Sequence, residues 1–163
     1  MKKIVTNLWA NDGTLEERVD FYVSLFEESR IVSSAHFGPD AGEYAGQKMV
    51  INFELLGRPY AAINGGDTSF TPNESVSFAV ACDTQVEIDR VWDALVAGGE
   101  PGPCGWLRDR FGFSWQVYPA VLDTMMSDSD PERVQRVVDC FMQIDERAFD
   151  IAELEAAYAG ADS

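Results

Sequence analysis

Histidine is almost absent from this chain of 163 residues: His36 is the only one. A single imidazole excludes a multi-histidine metal centre. A Ser-His-Asp triad would have to run through His36, to which no other feature points. Cysteine is scarce as well. Cys82, Cys104 and Cys140 are odd in number and widely spaced, and none forms a Cys-x-x-Cys pair. That pattern argues against a disulfide framework or a zinc knuckle and for reduced thiols in a cytoplasm, with all three read as small buried side chains. Positive charge is also short, with 12 Lys and Arg against 28 Asp and Glu. The resulting net charge of −16 repels nucleic acids and anionic lipid surfaces. No apolar run approaches the roughly 20 residues needed to span a bilayer. Met1-Lys2-Lys3-Ile4 has no long apolar region behind it, so no signal peptide is expected.

What is present is apolar and patterned. Hydrophobic residues make up 46% of the chain and aromatics 12%, enough for a full core. The acidic charge is uneven: residues 123–163 hold 11 acidic and 3 basic side chains, a net −8. A solvated acidic helical surface accounts for this, and a docking site for a basic partner is the sharper alternative.

Along the chain, residues 4–10 read as a strand, and Asn11-Asp12-Gly13 turns it. Thr14 with Glu17 three residues on has the form of a capping box, in which each side chain satisfies an orphaned backbone N–H of the first helical turn. Leu15, Val19, Tyr22 and Phe26 then make a helical stripe ending near residues 28–29. Three strands follow at residues 31–37, 49–55 and 59–63. Gly57 turns between the last two, and Asn64-Gly65-Gly66-Asp67 closes the set as a turn. The pattern restarts at Ser75, with a strand to Cys82, a Thr84–Glu87 capping box and a stripe of Ile88, Val91, Trp92, Leu95 and Val96. An irregular segment covers residues 100–105, and strands cover residues 106–108 and 113–118. Beyond Pro119 the chain reads as helical. Asp130 caps a helix whose stripe is Val134, Val137, Val138 and Phe141, and Asp150 opens a short last one through Tyr158.

The two halves are in register. Thr14 matches Thr84, Glu17 matches Glu87, Tyr22 matches Trp92 and Leu25 matches Leu95, always 70 residues apart. Each unit is β-α-β-β-β, and a curved four-stranded sheet with a helix on one side leaves its other face to be covered or to enclose a pocket. The expected fold class is α+β: two tandem βαβββ modules followed by C-terminal helices. Residues 1–72 form the first module, 73–122 the second and 123–163 the acidic helices, together one compact domain.

This duplication resembles the vicinal oxygen chelate superfamily of glyoxalases, antibiotic-resistance proteins and extradiol dioxygenases. More narrowly, its PhnB-like branch is matched by Phe21-Tyr22 with Leu25-Phe26, Asn64-Gly65-Gly66, Ser77-Phe78, Cys104-Gly105-Trp106-Leu107, Asp109-Arg110-Phe111-Gly112 and Ser114-Trp115-Gln116. The resemblance extends over nearly the whole chain, C-terminal helices included. Members of this branch are often labelled 3-demethylubiquinone-9 3-methyltransferase.

Metal-using members of the superfamily hold a divalent ion with His and Glu from the first and fourth strands of each module. Here the first-strand slots fall at Val5-Thr6 and Ser75-Val76, and the fourth strands offer Asn64 and Gln116. A single amide cannot hold a transition metal, so no metal and no other cofactor is expected. His36 lies off the ligand pattern and reads as an edge or surface residue. Gly112-Phe113-Ser114-Trp115-Gln116 lacks the second glycine of a nucleophile elbow. Asn64-Gly65-Gly66-Asp67 has no Gly-Lys-Ser/Thr after it and is no phosphate cradle, and no Rossmann-type loop supports S-adenosylmethionine binding.

A pocket remains as the expected site. Trp9, Phe53, Phe70, Trp106 and Trp115 are its candidate walls, with Asn52, Asn64, Ser77 and Gln116 as polar anchors for a small planar or amphiphilic ligand. Arg108, Asp109 and Arg110, near a strand turn, read as surface ion-pairing residues, with gating of the pocket the sharper alternative. The function expected is small-molecule binding in a sheet cavity without the usual metal. The rivals are a metal-dependent lyase, isomerase or dioxygenase with unusual ligands, and an assembly or interaction protein acting through the acidic helices. The resemblance implies a homodimer. Neither nucleic acid nor membrane is an expected partner.

Overall fold

The computed structural model describes residues 4–10, 12–66 and 69–160. The N-terminal lysines and the turn residues Asn11 and Asp67 lie outside the described residues. The chain divides into two compact units, Met1–Phe70 and Thr71–Ser163.

In the first unit, β1 (Thr6–Ala10) leads into α1 (Leu15–Leu25), and then β2 (Arg30–His36), β3 (Lys48–Leu55) and β4 (Arg58–Asn64) complete a sheet ordered β1-β4-β3-β2. β1 runs parallel to β4 and the other pairs are antiparallel. The β3–β4 link is a two-residue turn in which Leu56 and Gly57 have φ of 48° and 73°. That left-handed pair matches the twist of the flanking strands, and it places a leucine where glycine or asparagine is the usual choice.

The second unit repeats this plan. β5 (Ser77–Cys82), α2 (Gln85–Val96), β6 (Glu100–Pro101), β7 (Trp106–Arg108) and β8 (Ser114–Pro119) form a sheet ordered β5-β8-β7-β6. The chain therefore has the tandem βαβββ architecture. Positions 70 residues apart do the same work: Tyr22 and Trp92, and Leu25 and Leu95, are all buried between helix and sheet. In the first unit buried Leu8, Ile51, Phe53 and Leu55 line the sheet; in the second, buried Leu107, Trp115 and Val117 do so. Each such side chain taken from water contributes about 1.5–3 kcal/mol.

The capping symmetry does not hold. Thr84 and Glu87 form the full reciprocal box, but Thr14 makes no side-chain cap. Its hydroxyl donates to Asp12 and accepts from Nη2 of Arg18 at 3.0 Å. Arg18 is only 2% exposed and also donates to the Trp9 carbonyl at 2.6 Å and to the Asp12 carboxylate. Orienting a buried guanidinium takes the hydroxyl away from the helix terminus. The first helix also stops earlier than its periodicity suggests, at Leu25.

Three helices follow β8: α3 (Val121–Met126), α4 (Pro131–Phe141) and α5 (Ile151–Ala159). Asp130 and Asp150 cap α4 and α5 as their positions predict. Of the predicted α4 stripe only Val137 is fully buried, since this helix packs chiefly on α5. Arg136 ties the two together by donating to the carbonyls of Ala157 and Tyr158. Only Cys82 of the three cysteines is buried; Cys104 and Cys140 are half-buried, and all are unpaired thiols. Among the described residues no helix is long and apolar enough to cross a membrane.

Candidate functional site

Strand parity sorts the candidate pocket residues. Neighbouring strand residues point to opposite faces, so Asn52 and Phe53 cannot line one surface, and neither can Trp115 and Gln116. The helix side takes Phe53 and Trp115, which are 1% and 3% exposed. Phe53 stacks on Tyr60, and Trp115 packs against Phe78. Both are core residues and not walls of an open face.

In the first unit the opposite face carries Trp9 and Asn52. Trp9 is pinned: its indole N–H donates to the Gly66 carbonyl at 3.2 Å, and Phe70 meets its ring edge at 5.6 Å. A Cβ on Gly65 would lie 1.9 Å from the Trp9 ring. The Asn64-Gly65-Gly66 string is thus glycine-rich so that the indole can lie against the backbone. Asn52 donates to Ser33 at 3.1 Å. Asn64 sits apart from these two, paired with Ala10 at the end of its strand. It lines a cavity of about 300 Å³ with Gln47, Lys48, Glu16 and His36. His36 is exposed at the end of β2, as its sequence context suggests, and Lys48 is ion-paired to Glu16.

In the second unit the face opposite α2 is set by the β8 register. Ser77 pairs with Ser114, Arg108 with Ser114, and Trp106 with Gln116. Gln116 donates to the Ser77 hydroxyl at 2.7 Å, so these two candidates are brought together. Beside them a cavity of about 350 Å³ is lined by Glu74, Glu100, Pro101, Gly102, Pro103, Trp106, Leu107, Arg108 and Ser114. It opens where β6 and β7 are shortest, two and three residues. Arg108 is ion-paired to Glu100. That hydrogen bond, with the nearby carboxylate charges, raises the Arg108 pKa above its ordinary value.

Ser114 lines this cavity, is 2% exposed, and its hydroxyl has no hydrogen-bond partner among the described residues. A buried unpartnered hydroxyl costs about 1–3 kcal/mol, and native structures tolerate few. Composition did not reveal it. Parity counted from Gln116 would have, since Ser114 lies two residues away on the same face.

The predicted surface pairing of Asp109 is corrected. Asp109 is 2% exposed. Its Oδ1 accepts from the backbone N–H groups of Phe111 and Phe113, and its Oδ2 from the Trp115 indole at 2.8 Å. The Asp-Arg-Phe-Gly string is the hairpin turn that aims β8, with Gly112 at φ 86°.

Gly105 explains another string. At φ 76°, a Cβ there would lie 2.3 Å from the Phe149 ring and 2.6 Å from the Val117 carbonyl. The segment before α5 seats in this notch. Cys104 donates to the Ile144 carbonyl, and Gln85 bridges Phe149 and Ile151.

The donor set does not fit a divalent metal. Among the described residues, no three His, Cys, Asp or Glu side chains converge. The Gln116 amide N–H donates to Ser77, and amide and hydroxyl oxygens alone suit no transition metal.

The model of the 3-demethylubiquinone-9 3-methyltransferase family matches residues 2–118. The chain belongs to that family. The PhnB protein from Bacillus cereus is 33% identical over 71% of this chain and 98% of its own, with a TM-score of 0.61. A protein from Pseudomonas aeruginosa, 21% identical over 73% of this chain and 98% of its own, has a TM-score of 0.59. The fosfomycin resistance protein FosX from Listeria monocytogenes, solved with Mn(II) and sulfate, shares the fold at 14% identity and a TM-score of 0.52, over 77% and 96% of the two chains. No curated protein matches. This PhnB-like family lies within the vicinal oxygen chelate superfamily. One expectation is overturned: the family match ends at residue 118, before α3, so the likeness does not extend over the C-terminal helices. Those helices are an addition that the βαβββ plan does not require.

Proposed function

We propose that this PhnB-like chain binds a small organic molecule in the cavity of its second unit, without chelating a divalent metal. The observation that carries this reading is the buried, unpartnered hydroxyl of Ser114 in the wall of a 350 Å³ space. The volume falls in the range of small-ligand sites. Pro101, Pro103, Trp106 and Leu107 supply an apolar lining, and a turn of the Ser114 side chain about χ1 would bring its buried hydroxyl to a ligand polar group. The methyl transfer in the family's description finds no support here, as no glycine-rich cofactor loop is present in the sequence.

Ser114→Ala tests the reading. Deleting a hydroxyl without a partner leaves the thermal midpoint of the ligand-free protein unchanged or raised, and weakens binding of fragments found by ligand-observed NMR about fivefold to tenfold. A destabilised ligand-free variant, or fragments bound equally by both proteins, would sink the proposal. Elemental analysis checks the metal clause. A stoichiometric transition metal in the purified protein refutes it. The same reading makes the chain a cytoplasmic homodimer, supported by its three unpaired thiols and by β2, an edge of its sheet. Sedimentation at micromolar concentration gives the mass that decides the second point.

A further inference from the structure

The charge around the cavity points to the kind of molecule it takes. Arg108 and Glu100 form an ion pair and neutralise one another. Glu74 is a second carboxylate in the lining, and no ion pair engages it among the described residues. Its field reaches Arg108, adding to the hydrogen bond from Glu100 that raises the Arg108 pKa. The cavity therefore carries one uncompensated negative charge inside a chain whose net charge is already −16. An anionic ligand would have to displace Glu100 from Arg108 and sit beside Glu74, against that field. A cation meets neither obstacle.

Trp106 strengthens the case. The other tryptophans near the candidate site are engaged: Trp9 donates to Gly66, and Trp115 donates to Asp109. Trp106 makes no ring–ring contact and no side-chain hydrogen bond among the described residues, and it lines the cavity half-exposed. An indole face near a carboxylate suits an ammonium joined to a flat apolar group, through cation–π attraction and apolar contact with Pro101 and Pro103. Ser114, once its side chain turns toward the cavity, adds an acceptor for one N–H of that group.

We propose that the ligand class is a small amine, protonated at neutral pH and carried on a flat apolar body, with Glu74 meeting the ammonium and Trp106 the body. This rests on the reading of the cavity as a binding site, and the test separates the two. Three probes of one size are compared: 2-phenylethylamine, 2-phenylethanol and phenylacetate. Binding is followed by calorimetry at pH 7 and by the NMR shift of the Trp106 indole N–H, assigned with Trp106→Phe.

The expected result is an amine bound at least about threefold more tightly than the alcohol, with the acid weakest. Glu74→Gln removes the amine's advantage and leaves the alcohol unchanged. Glu74 is exposed, so this variant folds. Salt at 0.5 M reduces the same advantage. An alcohol or acid that binds as tightly as the amine overturns the amine class while the cavity reading stands. An advantage that survives Glu74→Gln overturns the role of Glu74 and the proposal with it. If none of the three moves the Trp106 indole at millimolar concentration, both readings fail.

Discussion

The two βαβββ units share a strand order and a helix register, yet they spend their special residues differently. The first unit has strands of five, seven, eight and seven residues, and it invests in a buried arginine and a clamped indole. Arg18 organises the start of α1, and Trp9 is held between Gly65, Gly66 and Phe70. The second unit shortens the edge strand β6 and its inner neighbour β7 to two and three residues, opens its helix with an ordinary capping box, and leaves the Trp106 indole without a ring contact or hydrogen bond among the described residues. Truncating a sheet edge removes side chains that would have filled it. The scaffold is thus duplicated, but a vacancy with an unpartnered hydroxyl is described beside the short edge only.

The contrast can be broken most forcefully at Asp109. Among the described residues, only the second unit hangs a hairpin on a buried carboxylate. Asp109→Ala strips the acceptor from two backbone N–H groups and the Trp115 indole, and is expected to cost about 3–5 kcal/mol in urea unfolding. A loss below about 1 kcal/mol would show that the turn holds without it.

The two glycine notches give the next largest effect. Gly105→Ala meets the Phe149 ring, the Val117 carbonyl and a left-handed backbone at once, with an expected cost of about 2–4 kcal/mol. Gly65→Ala meets the Trp9 ring, with an expected cost of about 1–3 kcal/mol. The two should differ in rescue. Trp9→Ala relieves Gly65→Ala, because a side chain is the obstacle. Phe149→Ala leaves Gly105→Ala impaired, because the Val117 backbone remains. Equal rescue at both sites would erase the distinction.

The smallest effect concerns the helix starts. Thr84→Ala should cost about 1 kcal/mol, the usual worth of a cap. The first unit should instead respond to acid. Burial works to raise the Asp12 pKa, but hydrogen bonds from Thr14 and the Arg18 charge outweigh it and leave it below the ordinary value. A carboxyl depressed in the folded state stabilises fully above its unfolded pKa near 3.9, and that stabilisation fades as pH falls through the lower folded value. Proton exchange in α1 should therefore accelerate below about pH 4 relative to α2, and Asp12→Asn should remove that dependence. The Thr84→Ala measurement is made by thermal unfolding at pH 7.

Much of the fold was legible because periodicity is local. The alternation of Ile51, Phe53 and Leu55, and the 70-residue recurrence of Thr, Tyr or Trp, and Leu, place strands and helices without knowledge of what they pack on. The site was less legible. Grouping Trp115 with Gln116 followed from their adjacency and their aromatic or polar type, and it ignored that a strand sends them to opposite faces. Asp109 read as a surface charge and nothing marked Arg18 for the core, because burial of a charge depends on partners that arrive from elsewhere in the chain, here the Trp115 indole and the Trp9 carbonyl.

By itself the sequence determined the duplicated βαβββ plan and the family, since these depend on residue type and spacing. Only the tertiary structure decided which threonine caps its helix and why Gly65 and Gly105 must be glycine. It alone located the cavity of the second unit, with Ser114 in its wall. Those facts depend on what meets a residue from distant parts of the chain, and no local pattern records that.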